Sequence, residues 1–158
     1  MFGEPTHDVL VLTADAARAR LFRLVRQRDE RPPLKLREVK SLVHPEARNK
    51  ETDRYDSASQ IKAGSMTKAH TFDDHREDHD AEDLRRFAAS IANTIREQDG
   101  NSDSKLIVIT THSIRNLLEG ELERLPGNRA VSEWLTAEKT QLSPHDLCAD
   151  LSRRGLLR

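Results

Sequence analysis

The stretch "DVLVLTA", Asp8 to Ala14, constrains the fold more tightly than any other. It is almost wholly apolar and rich in β-branched residues, which suits a strand covered on both faces and not one with a wet side. "RLFRLV", Arg20 to Val25, reads as the next strand, and only "DAARA" separates the two. A connection that short excludes a helical crossover, so the strands pair antiparallel. After the charged loop "RQRDERPP", ended by Pro32 and Pro33, "LKLREVKSLV" alternates apolar and polar residues and predicts a third, half-exposed strand. The chain therefore opens with a three-strand meander built around one buried strand.

From His44 to Thr71 no period is sustained and apolar residues are few. A connection of that length inside a small domain is more often functional or disordered than a mere link. Helical spacing then returns at Leu84, Phe87, Ala88, Ile91 and Ile95, an apolar stripe that should lie on a sheet. "KLIVIT", Lys105 to Thr110, predicts a second buried strand. Ile114, Leu117, Leu118, Leu122 and Leu125 predict a second helix that ends at "PGN". "AVSEWLTA" reads as a strand. "LSPHDL" places Ser143 at a helix N-cap, Pro144 at the first helical position and Asp146 near the positive end of the helix, which Gly155 closes. The expected class is α/β: a mixed five-stranded sheet of ribonuclease-H-like type, with three antiparallel strands followed by helix, strand, helix, strand, helix. Residues 1–158 form one expected domain with a long loop at about 44–72.

Composition limits the partners. Lys and Arg number 26 against 27 for Asp and Glu, so the whole-protein field does not steer polyanions and any nucleic-acid contact must be local. Aromatic residues are 4%, too few for a broad stacking platform. Cys148 stands alone, which excludes an internal disulfide and a multi-cysteine zinc site and fits a reducing compartment. The opening "MFGEPTHDVLVLTADAAR" lacks a basic n-region and a long apolar run, and no window has the length to span a bilayer. The expectation is a soluble cytoplasmic protein with no membrane contact.

Several residue groups were candidates for chemistry. A two-metal nuclease needs carboxylates converging from strand ends. Asp15 follows the first strand, but the fourth runs into "TTHS" with no acid to partner it. In "KAHTFDDHREDHDAED", His75 and His79 are four apart and share a helix face with Glu82, the weak metal candidates of this chain. A zinc-protease helix carries Glu directly after its first His, where Arg76 stands here, and the helical projection turns both histidines away from the apolar stripe. The reading is a solvated helix face with no metal or other cofactor. The same projection puts Asp73, Glu77 and Asp80 on the stripe side, so either the helix starts near Asp80 or its first turns extend beyond the sheet. Arg18, Arg20, Arg23, Arg26 and Arg28 crowd the first hairpin, but strand alternation splits Arg20 and Arg26 from Arg23. Cys148 lies near Leu147 and Leu151 on the last helix, as a buried small hydrophobe would.

"ADAARARLF" (Ala14 to Phe22), "LVHPEARNKETDRYDS" (Leu42 to Ser57) and "LTAEKTQLSPHDL" (Leu135 to Leu147) resemble the bacterial host attachment protein family over nearly the whole chain. Members of that family look like single-domain relatives of the central domain of archaeo-eukaryotic release factors and of Pelota. The resemblance implies a ribonuclease-H-like fold. In release factors the loop before the first long helix carries Gly-Gly-Gln. Here that segment reads "QIKAGSMTK", with Gly64, Ser65 and Met66 in place of the tripeptide, so peptidyl-tRNA hydrolysis is not implied. The resemblance implies a non-catalytic RNA- or ribosome-associated factor, with Arg48, Lys50, Arg54, Lys62, Gly64, Ser65 and Lys68 of the loop, and Arg18 and Arg20 of the hairpin, as contact candidates. The alternatives are a protein-interaction module supporting host-cell attachment and, third, a metal-dependent hydrolase.

Overall fold

A computed structural model describes residues 8–44, 69–99 and 104–157, with the backbone alone for 69–78. Strands β1 (Val9–Ala14), β2 (Arg18–Arg26) and β3 (Leu34–Val43) precede helix α1 (Ala69–Gln98). Strand β4 (Lys105–Thr110), helix α2 (His112–Arg124), strand β5 (Glu133–Thr136) and helix α3 (Pro144–Arg153) follow. The five strands form one sheet in the order β3-β2-β1-β4-β5. β1 pairs antiparallel with β2 and parallel with β4, and β4 pairs parallel with β5. The mixed α/β sheet expected from the sequence is therefore present.

Every residue of β1 is buried, because α1 and α2 cover one face of the sheet and α3 the other. Alternation along the strands sorts the core into two layers. Leu10, Leu12, Leu106 and Val108 meet Phe87, Ala88, Ile91 and Ile95 of α1 and Ile114, Leu118 and Leu122 of α2. Val9, Val11, Phe22, Leu36, Ile107 and Ile109 meet Leu147, Cys148 and Leu151 of α3. The stripes read from helical spacing are thus the buried ones.

Three strands differ from the sequence reading, β2 and β5 in their ends and β3 in its alternation. β2 runs from Arg18 to Arg26 because its whole length finds partners in β3. β3 departs from simple alternation: its register with β2 shifts between Leu21 and Phe22, where Glu38 and Lys40 take successive partners and Val39 is the extra residue. Leu34 and Leu36 consequently pack toward α3, whereas Val39 and Leu42 pack toward α1. β5 is only Glu133–Thr136, since β4 offers it four partners and Val131 joins the core from outside the ladder.

The helix α1 begins at Ala69, inside the loop expected at 44–72, and the remainder of that loop lies outside the described residues. At 1.5 Å per residue, α1 spans about 45 Å, while a six-residue strand such as β1 spans about 20 Å. Its buried part starts at Phe87, and Gln98 reaches the start of β1, where its carbonyl accepts from Arg23. The turns before Asp83 therefore extend past the sheet, the second of the two arrangements that the inward acids allowed.

Local signals set the ends of α3. The Ser143 side chain accepts from the Asp146 N–H at 3.1 Å, and Pro144 occupies the first turn. Gly155, at φ 72, closes the helix with Leu156 donating to the Leu151 carbonyl and Gly155 to that of Ser152, the Schellman pattern that a left-handed residue makes possible.

At the opposite end of the sheet from Ala14, Arg129 makes a buried ion pair with Asp99 and also donates to the Ser104 carbonyl, while Ser104 donates to Asp99. This network clamps the end of α1, the start of β4 and the approach to β5. Removing one partner leaves an uncompensated buried charge, which costs more than losing the pair as a whole. Arg129→Ala and Asp99→Ala are each expected to lower stability by about 3 kcal/mol in urea unfolding. The double variant should cost much less than the sum of the two.

Candidate functional site

In a sheet with parallel strands, side chains placed beyond the strands' carboxyl ends are free to meet a ligand, because the strands end there and loops begin. Here that edge holds the ends of β1, β4 and β5, the β1–β2 turn and the end of β3. His44, just after β3, donates its backbone N–H to the Ala17 carbonyl at 2.8 Å. Its Nδ1 is 3.0 Å from the Ala16 carbonyl oxygen, and its ring stacks on Phe87 at 5.0 Å between centroids. The described chain after β3 therefore ends, at His44, on this edge.

Asp15 sits at the centre of the edge, and its carboxylate is fully engaged. Oδ1 accepts from the backbone N–H groups of Ala17 and Arg18 at 2.7 and 2.8 Å, shaping the tight turn that "DAAR" makes. Oδ2 accepts from the buried Thr140 hydroxyl at 2.8 Å. Asp15 holds the turn and the β5–α3 connection, which accounts for an acid at this strand end without a metal.

Arg20 has a comparable structural commitment. Its guanidinium forks onto the Glu38 carboxylate at 3.0 and 2.9 Å, and Nη1 donates to the Thr140 and Leu142 carbonyls at 3.0 and 2.6 Å. It also lies 4.9 Å from the centroid of the Phe22 ring. Arg23, on the other face as alternation requires, pairs with Asp8 and the Gln98 carbonyl. Of the two hairpin candidates, Arg18 is the exposed one. Sequence spacing gave the correct face for Arg20 but could not reveal partners more than a hundred residues away.

Across the edge, Arg115 of α2 lies 5.5 Å over the Trp134 ring and donates to the Thr136 hydroxyl at 2.8 Å. Beside His44 a recess of about 300 Å³ is lined by Leu42, Val43, Asp83, Arg86, Phe87 and Ser90. Val43 is 46% exposed there, the one large apolar side chain so placed among the described residues. His79 and Glu82 are exposed, as the projection required, and Glu82 pairs with Arg86 at 3.2 Å. The side chain of His75 lies outside the described residues, as do Arg48, Lys50, Arg54, Lys62, Gly64, Ser65 and Lys68. Among the described residues no cluster of metal-ligating side chains forms. Cys148 is buried against α3's apolar partners, and that burial pushes its thiol pKa up.

A family model described as a protein required for attachment to host cells matches residues 10–151. The chain belongs to that host attachment family. No curated protein matches it. A solved structure of the Aquifex aeolicus Ppx/GppA phosphatase, in its type II variant, is similar at 11% identity and a TM-score of 0.38, over 82% of this chain and 35% of that one. The chain thus spans little more than a third of that protein, and a similarity so distant says nothing about chemistry here. What the host attachment family match adds to the geometry is coverage: it runs from inside β1 to the inner face of α3, taking in the whole carboxyl edge.

The Arg20 guanidinium holds the Glu38 carboxyl below the ordinary glutamate range. A lowered folded-state value means stability that is present above the unfolded value and is lost as pH falls through the folded one. Glu38→Gln should therefore cost up to about 1 kcal/mol at pH 7. Its urea midpoint should converge on that of the parent below about pH 4. Two buried hydroxyls near the strand ends, Thr13 and Thr110, have no hydrogen-bond partner among the described residues. An unpaired buried hydroxyl is unfavourable, so Thr13→Val and Thr110→Val should each leave the melting temperature unchanged or raise it, by up to about 1 kcal/mol of stability.

Proposed function

We propose that the protein is a non-catalytic interaction module that supports attachment to host cells by holding a protein partner against the carboxyl edge of its sheet. The observation that carries this reading is the family match over residues 10–151. The geometry supports it in two ways. Asp15, the acid best placed for chemistry, is occupied by structural donors. The recess beside His44 combines an exposed Val43 with Asp83 and Arg86, the apolar centre and charged rim of a protein-binding patch.

A second reading, an RNA- or ribosome-associated factor related to release factors and Pelota, has its own support. Arg48, Lys50, Arg54, Lys62 and Lys68 follow His44 in the sequence, and His44 lies on the same edge as the exposed Arg18. The strand order β3-β2-β1-β4-β5, with β2 alone reversed, also suits the ribonuclease-H-like class inferred for those factors. The two readings separate in one experiment. The full chain, crosslinked in cells, should retain a defined protein partner after nuclease treatment. Val43→Asp should lose that partner and reduce host-cell adherence to the level of a strain lacking the protein, with its melting temperature unchanged. Adherence that does not depend on the protein would sink the first reading. A complex that dissolves with nuclease and weakens steeply with salt would establish the second.

A further inference from the structure

On the face of the sheet opposite α1, the loop between β2 and β3 and the first two turns of α3 enclose a cavity of about 470 Å³ over the edge strand β3. That volume falls in the range of small-molecule sites, which are mostly apolar with a few polar groups. The wall has this character. Leu34, Leu36, Pro32, Pro33, Ala149 and Cys148 supply apolar surface. Leu36 is 1% exposed and Cys148 7%, with the thiol donating to the Leu34 carbonyl at 3.5 Å, so the cavity backs onto the core.

The rim is charged with a positive balance. Arg31 and Lys35 line it against the single acid Glu30. Pro144 and His145 complete it from the first turn of α3. None of these cations is used by the carboxyl edge, which the β1–β2 turn and the recess at His44 occupy. Volume, apolar floor and cationic rim together select one ligand chemistry.

We propose that this cavity binds a small amphiphilic carboxylate, its hydrocarbon chain on Pro33, Leu34 and Ala149 and its charge paired with Arg31 and Lys35. A neutral chain of the same length would fill the floor but leave the rim unpaired. A cationic one would meet repulsion. The inference stands apart from the proposed attachment role, since neither the recess nor Val43 takes part.

Decanoate is a suitable probe, and Cys148 a built-in reporter because its thiol borders the cavity. Burial pushes that thiol's pKa up, which slows its alkylation, and its place on the cavity wall makes the reaction sensitive to further covering. With the full chain, decanoate below about 1 mM should slow maleimide alkylation of Cys148 at least several-fold and bind one to one by calorimetry. Decyltrimethylammonium at the same concentration should do neither. Ala149→Trp, which fills the cavity from an exposed helix position, should abolish binding. The charge variant Arg31→Glu/Lys35→Glu, which leaves the floor intact, should weaken decanoate about tenfold, the loss of one good ion pair. Absence of protection by decanoate, equal protection by the cationic chain, or binding that survives in a folded Ala149→Trp protein would each overturn the proposal. Should Ala149→Trp not fold, the charge variant decides alone, and unchanged affinity there overturns it.

Discussion

β1 is the constraint from which the rest follows. It is six residues long, has no exposed side chain and has both edges hydrogen-bonded, so every neighbour must arrive in a fixed place. Burial of its two faces requires a helical layer on each side. Pairing of its two edges requires a hairpin partner, because "DAARA" permits nothing longer, and a parallel partner that only a crossover can deliver. α1 serves both needs, covering one face and returning the chain to the start of β4. The register follows, with Leu10, Leu12 and Ala14 opposite Arg23, Leu21 and Ala19, which keeps the apolar set of β2 on the same layer as that of β1.

The polar residues around β1 extend this order to the carboxyl edge and to the far face. Asp15 and Arg20 converge on the connection between β5 and α3, the first through the Thr140 hydroxyl and the second through the Thr140 and Leu142 carbonyls. The β1–β2 hairpin therefore sets where α3 begins, and so where its first turn faces the β2–β3 loop. One cluster thus shapes both the carboxyl edge and the cavity over β3. The bidentate geometry of Arg20 matters here, since a point charge on a flexible stem could not hold Glu38 and two carbonyls at once.

Much of this was legible in the sequence, for reasons tied to period and punctuation. The runs at β1 and β4, the stripe from Leu84 to Ile95 and the Ser143-Pro144 start of α3 carry local signals strong enough to survive packing. Hidden features depend on partners distant in the chain. The bulge near Val39 is invisible in a sequence that alternates plausibly on either side of it. "AVSEWLTA" has strand propensity throughout, yet β4 pairs with only Glu133 to Thr136. Arg20 could be given a face but not its carbonyl partners, and the cavity joins Pro32 and Pro33 to Ala149 across most of the chain. The loop candidates from Arg48 to Lys68 fall outside the described residues, so of the basic residues proposed for contact only Arg18 and Arg20 have a place in the structure.

The acidic stretch ahead of Leu84 shows how far such reasoning extends. A helix lying on a sheet cannot tolerate acids on its inner face, so Asp73, Glu77 and Asp80 demanded either a late start or an overhang. The helix starts at Ala69, and the level of the sheet edge is marked by Asp83, which shares the recess with His44. Everything before it is helix without a sheet beneath. A projection that long exceeds what burying β1 requires, because Phe87 to Ile95 already cover that face. Core packing therefore explains only the second half of α1.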